Sequence, residues 1–208
     1  MRIARAARVL AAALAFAAAG SAASAAPPGT AVRATRVTTY VPVVPGGRTI
    51  AGHCWTRSIA AQNRTDAYRC MAGNTIYDPC FASKRPRVVV CDANPASGER
   101  GFAMRLTAAL PAEPPFPGRT LAPWLVQLAA AEVCIPLTGT HEAIGNDVIF
   151  YECSESRALR ARAFATGLID GGITPGRVWH ARKAVYRINR AGAVTGTVTV
   201  VPLAAVWR

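Results

Sequence analysis

Gly52-His53-Cys54-Trp55-Thr56-Arg57-Ser58 (GHCWTRS) can be read in two ways. A cysteine beside a tryptophan, two residues after a glycine, can present a nucleophilic thiol. The same cysteine can be half of a cystine in a small domain strapped by disulfides. The first reading calls for an enzyme scaffold with an activating histidine. The second calls for a compact chain in which every cysteine has a partner. The other cysteines, and the compartment the chain is built for, decide between them.

Compartment is read from the N-terminus. MRIARAAR (1–8) carries three arginines and no acid, VLAAALAFAAAG (9–20) is apolar, and SAASAA (21–26) is small and neutral. That order is the pattern of a secretory signal peptide over residues 1–26, with cleavage after Ala25 or Ala26. The apolar run is shorter than the roughly 20 residues a membrane-spanning helix needs. No cysteine stands at the cleavage site to carry a lipid, and no later segment is apolar for long enough to span. Lysine occurs only at positions 84 and 183 against many arginines, a bias of GC-rich bacterial genomes, so the sequon at Asn63-Arg64-Thr65 carries no weight. The expected location is the periplasm or the cell exterior.

All six cysteines, at 54, 70, 80, 91, 134 and 153, lie beyond the leader. An even number in an exported chain implies disulfides, in one of fifteen connectivities. Local patterning favours near neighbours. RPRVVVCD (85–92) is a β-branched run that reads as a strand ending at Cys91, and TIYDPCF (75–81) can lie beside it with Cys80 in reach. EVCIPL (132–137) and VIFYECS (148–154) read as two strands joined by the polar loop TGTHEAIGND (138–147), so that Cys134 faces Cys153. Cys54 is then left with Cys70. Bridges closing loops of this size contribute roughly 2–4 kcal/mol each. A metal is a poor competitor, because no C-x-x-C pair is present and the adjacent His53 and Cys54 cannot readily chelate one ion. No metal or cofactor is expected.

Elsewhere β signals dominate. Residues 27–48 form an irregular lead-in, and TTYVPVVPGGRTIAG (38–52) reads as an edge strand or irregular segment broken by prolines. RTDAYRCMAGN (64–74) has the look of a short helix, capped by Thr65 or Asp66 and ended by Gly73 or Asn74. GFAMRLT (101–107) alternates like a strand, and AALPAEPPFPGRT (108–120) is a proline-rich connection. APWLVQLAAAEVCIPL (122–137) has helical propensity in its alanines but ends on a half-cystine, and reads as strand–turn–strand. GRVWHARKAVYRIN (176–189) and GTVTVVPLAAVW (196–207) are β-rich arms around RAGAVT (190–195). The expected fold is a single compact, mainly β domain over 49–208 with one or two short helices, α+β being the alternative.

The charge balance bears on partners. The chain carries 24 basic and 11 acidic residues, and three of the arginines lie in the leader, which leaves 21 against 11, or +10. Around a bacterium such a chain meets lipopolysaccharide, teichoic acid, acidic polysaccharide and phospholipid headgroups. Nucleic acid fits the charge but not export. Two segments concentrate cations: ESRALRARAF (155–164), with Arg157, Arg160 and Arg162, and the arm 176–189. On a strand Arg177, Trp179, Ala181, Lys183, Val185 and Arg187 share one face. Arg177, Trp179, Lys183 and Arg187 are therefore the candidate anion-binding residues.

Enzyme readings are weaker. A thiol protease needs a histidine to activate Cys54; His141 follows far closer than the roughly 130–150 residues of the papain-like pattern. No G-x-S-x-G marks a serine hydrolase. Asp66, Asp78, Asp92, Glu152 and Glu155 can furnish a carboxylate pair of the glycosidase kind, as can any domain with this many acids.

The stretch GHCWTRSIAAQNRTDAYRCMAGNTIYDPCF (52–81) resembles the signature of a family of uncharacterised secreted proteins from high-GC bacteria, G-x-C-W-T-x-S leading into D-A-x-R-C-M-x-G-N-x-I-x-D-P-C-F. The matching positions run from Gly52, Cys54, Trp55, Thr56 and Ser58 to Asp66, Ala67, Arg69, Cys70, Met71, Gly73, Asn74, Ile76, Asp78, Pro79, Cys80 and Phe81. VVVCDA (88–93), PWLVQLA (123–129) and the closing VW (206–207) resemble it more loosely. The resemblance implies an extracytoplasmic domain and supplies no chemistry. It unites Cys54, Cys70 and Cys80 in one pattern, as a cystine framework would. The expectation is an exported cationic domain that binds anionic polymers or builds the cell envelope, with an extracytoplasmic hydrolase as the alternative.

Overall fold

A computed structural model of the chain describes residues 32–47, 49–114, 122–154 and 163–208. Every regular element among them is a strand: β1 Arg36–Thr38, β2 Thr49–Arg57, β3 Ala67–Ala72, β4 Thr75–Ala82, β5 Val88–Cys91, β6 Phe102–Leu106, β7 Leu125–Leu128, β8 Val133–Pro136, β9 Ala143–Ile144, β10 Asp147–Cys153, β11 Ala165–Thr174, β12 His180–Ile188 and β13 Val194–Trp207. The fold is mainly β and strapped by disulfides. No helix among the described residues is long and apolar enough to cross a membrane.

Strands β2 to β6 form a closed barrel in sequence order. Neighbours are antiparallel, and the ring shuts through a parallel β2–β6 pairing in which Ala51 lies beside Arg105. The interior is filled by every second side chain, the expected consequence of the two-residue period of a strand. Cys54 from β2, Tyr68 and Cys70 from β3, Cys80 from β4, Val89 and Cys91 from β5, and Met104 and Leu106 from β6 make this core. Gly52 is needed where β2 passes closest to its neighbours: a Cβ there would sit 2.4 Å from the Met71 carbonyl oxygen and 2.6 Å from Met104 Sδ.

The short helix expected over 64–74 is instead strand β3. Tyr68, Cys70 and Ala72 face the core while Arg69 and Met71 do not, a period of two rather than 3.6. Gly73 and Asn74 do not end a helix. They are the two-residue turn between Ala72 and Thr75, which pair directly, and Gly73 takes the positive φ of 58° that such a turn requires.

The remaining strands form one sheet, ordered β1-β13-β12-β11-β10-β8-β7, with β9 folded against β10. Strand β13 is long enough to serve two partners. Its first part pairs with β12, and its last residues pair with β7 on one side and, in parallel, with β1 on the other. The β7–β13 pairing curls the sheet upon itself. Val126, Leu128, Cys134, Tyr151, Leu168, Ala181 and Leu203 fill the concave side. The strand–turn–strand reading of 122–137 and the hairpin around 190–195 both stand.

A third core joins the ring to the sheet. Ala61, Ala67 and Phe81 meet Trp124, Leu125, Ala205 and Trp207. Tyr40, Phe81 and Trp124 form an aromatic triangle with centroid distances of 4.8, 4.9 and 5.2 Å. Arg64 closes it: its guanidinium lies over Phe81, pairs with Asp66 at 2.6 Å, and donates to the carbonyls of Tyr40 and Arg208.

The cystines are Cys54–Cys70, Cys80–Cys91 and Cys134–Cys153, the sequential pattern. Each joins residues paired directly across adjacent strands. No cysteine is free.

Candidate anion-binding face

The disulfide of Cys54 settles what GHCWTRS presents. A half-cystine facing the ring's core forces its neighbours outward, because alternate residues of a strand point to opposite faces. Ala51, His53 and Trp55 accordingly line the outside of β2 and are exposed. Trp55 is 38% exposed, whereas Trp124, Trp179 and Trp207 are at most 6% exposed. With its sulfur bonded to Cys70, Cys54 has no thiol to offer. His141 sits on the other body, stacked on Phe150 with Nδ1 3.1 Å from the Ile149 carbonyl oxygen.

Cations gather around this row. Arg105 projects from β6 beside Ala51. The turn between β4 and β5 is Ser83-Lys84-Arg85-Pro86-Arg87, and all but Ser83 are exposed. Arg87 sits in the left-handed region at φ 58°. Its guanidinium donates one hydrogen bond to the Thr107 carbonyl at 3.2 Å, which fixes it beside Arg105. Arg87, Arg105, Pro86 and Ala51 line one open groove. Among the described residues no carboxylate pairs with Lys84, Arg85, Arg87 or Arg105. At the other end of the row Arg69 lies 5.8 Å from the Trp55 ring and is held by Asp78 at 3.6 Å and the Thr138 carbonyl at 3.3 Å.

The four residues singled out from the arm 176–189 do not come together on an open surface. Alternation is as expected, but the face it defines is the concave one. Trp179 is buried in the sheet's core. Lys183 is nearly buried and forms an ion pair with Glu132 across the mouth of the curl. Arg177 and Arg187 remain exposed. Arg182, on the opposite face, makes a two-pronged pair with Asp147 at 2.8 and 2.6 Å. Arg157, Arg160, Arg162 and Glu155 lie outside the described residues.

The candidate carboxylates are likewise divided. Asp66 is committed to Arg64, and Glu152 points outward from β10. Asp78 and Asp92 share a cleft of about 260 Å³ between ring and sheet, with Glu99, Asn94 and Trp124 also on its walls. Asp78 has both oxygens engaged: Ser58 Oγ donates to one at 2.5 Å and the Ile59 amide to the other at 3.2 Å. Ser58 in turn accepts from the Ala61 amide, so Asp78 is the anchor of the 58–61 turn.

Burial raises the Asp78 carboxyl above its ordinary range, outweighing the hydrogen bonds and the Arg69 charge that pull it down. Asp92 is raised too, by burial and then by the negative charge of Glu99. A raised folded value means that the folded chain holds the proton more tightly than the unfolded one. The contribution to stability is full below about pH 4, the unfolded aspartate value, and is lost as pH rises through the raised one. Asp78→Asn removes the cost of the buried charge at neutral pH. The urea midpoint of Asp78→Asn minus that of the unaltered chain should therefore become more positive between pH 4 and pH 7. A difference that does not change with pH would show that Asp78 carries no such cost.

No family model matches this chain, and neither a curated protein nor a solved structure is detectably similar to it.

The Lys-Arg-Pro-Arg run at 84–87 is the part of the face that reading by strands passed over. Three cations in four residues, next to a strand ending in a half-cystine, were its signal. Trp55 had one as well: if Cys54 faces inward on a strand, the tryptophan beside it faces out.

Proposed function

We propose that this chain is an exported binding domain that holds an anionic polymer of the bacterial envelope against the outer face of its five-stranded ring. The leader pattern at 1–26, the cystine framework and the resemblance over 52–81 support export, and the surplus of basic residues supports an anionic partner. The observation that carries the reading is the cluster of Lys84, Arg85, Arg87 and Arg105, exposed and unpaired with any described carboxylate, beside the outward row of β2. Elsewhere on the chain prominent cations such as Arg64, Arg69, Arg182 and Lys183 are spent on internal pairs.

Exposed contacts of this kind are individually weak and are screened beyond roughly 8 Å at physiological salt. Affinity must come from several acting together. Changing Arg85, Arg87 and Arg105 together to glutamine should weaken binding to immobilised heparin, used as a generic polyanion, by about tenfold, equivalent to about 1.4 kcal/mol. The same change at Arg177, Arg187 and Arg190 should have less than about a third of that effect in free energy. Equal losses from the two triple variants would mean that net charge alone is responsible and would remove the site.

A further inference from the structure

We infer that the polymer is an acidic polysaccharide, with one sugar ring stacked on the Trp55 indole and carboxylates or sulfates of neighbouring rings meeting Arg105 and Arg87. This inference rests on the binding face proposed above and adds the chemical class of its ligand.

The row itself supplies the argument. Ala51, His53 and Trp55 follow each other on the outside of one strand, and Arg105 lies beside Ala51. Trp55 stands four steps along the strand from Ala51, roughly 13 Å, which is room for more than one sugar ring. The cationic end and the aromatic end are thus a short oligomer apart, with the small Ala51 beside Arg105 and the exposed His53 between Ala51 and Trp55. A polymer of phosphates offers the cations what they need but has no apolar face for the indole. A pyranose has both: its C–H face suits the aromatic ring, and a uronate or sulfate suits guanidinium.

The indole is also held in place before any ligand arrives. Arg69 lies against it and is itself tied to Asp78 and the Thr138 carbonyl. A platform fixed in this way gives up little side-chain freedom on binding. Single-stranded nucleic acid would stack too, but proteins that hold it offer successive aromatic platforms. Here the ring next to Trp55 is His53, 6.3 Å away and tilted by 55°. One broad exposed ring beside a cluster of cations matches a sugar chain better than a run of bases.

Because the other three tryptophans are buried, quenching of intrinsic fluorescence by acrylamide reports on Trp55 in the unaltered protein. Polygalacturonate, polyphosphate, dextran and oligothymidylate are the probes, each at low salt. Polygalacturonate is expected to bind and to reduce the quenching constant by about half or more. Polyphosphate should bind through the cations and leave quenching unchanged, and dextran should not bind. Trp55→Ala should weaken polygalacturonate about tenfold and polyphosphate by less than about twofold, and Trp55→Tyr should restore most of the loss. Equal protection by polyphosphate, or tighter binding with stronger protection by oligothymidylate, would overturn the polysaccharide assignment while leaving an anion-binding face. Binding to none of the polyanions would remove the face itself.

Discussion

Alanine in place of Trp124 is expected to cost about 3–5 kcal/mol of unfolding free energy, the usual range for a large aromatic lost from a packed core. The side chain is only 2% exposed and touches both halves of the molecule. Tyr40, from the segment that follows β1, and Phe81, from the ring, pack on it, and Leu125, Ala205 and Trp207 surround it on the sheet. Its indole nitrogen has no hydrogen-bond partner among the described residues. Trp124→Phe should therefore cost much less, under about 1.5 kcal/mol, since it keeps the ring packing and removes a buried unpaired donor. Equilibrium denaturation in urea measures both. If alanine costs no more than phenylalanine, the aromatic triangle does not hold ring and sheet together.

Serine at both Cys54 and Cys70 is expected to cost about 2–5 kcal/mol. The bridge joins residues 16 positions apart in sequence and ties β2 to β3 inside the ring. Its sulfurs lie in an apolar, buried core with those of Cys80 and Cys91, so two hydroxyls there would find few partners. A second consequence concerns the surface. The inward anchoring of Cys54 is what turns Trp55 and His53 outward, and a loosened β2 should blur that row. The double variant should thus lose both denaturation midpoint and the protection of Trp55 by polygalacturonate. Retention of full stability would show that the ring's hydrophobic contacts suffice without the bridge.

The cystine pairs and most strands were legible because their causes are local. Cys80 and Cys91 stand on neighbouring strands joined by a short turn, and the alternation in GFAMRLT needs no distant partner to be recognised. No helix forms over 64–74 because the alternation of Tyr68, Cys70 and Ala72 outweighs the capping potential of Thr65 and Asp66, and because Gly73-Asn74 serves a helix end and a hairpin turn equally well. The stripe at 177–187 failed for a different reason. Period two says which residues share a face but not which face is inside. That is decided by β7 pairing with β13, a contact between residues far apart in sequence. The parallel pairing of β1 with β13 was out of reach for the same reason. The basic groove forms only when β6 closes on β2, so Arg105 could not be placed beside Ala51 from the sequence.

A closed ring has no first or last strand, and this governs how the molecule behaves in a crowd. Each of its strands has a neighbour on both sides over part of its length, which leaves only short stretches of edge for a second chain to extend by adding a strand. The route by which β proteins pile up edge to edge is narrowed on the very body that carries the cationic row. An anionic polymer that gathers many copies along its length would bring those rings side by side at high local concentration. They would meet through side chains and slide past one another, and the coated polymer would stay a layer of separate, replaceable units.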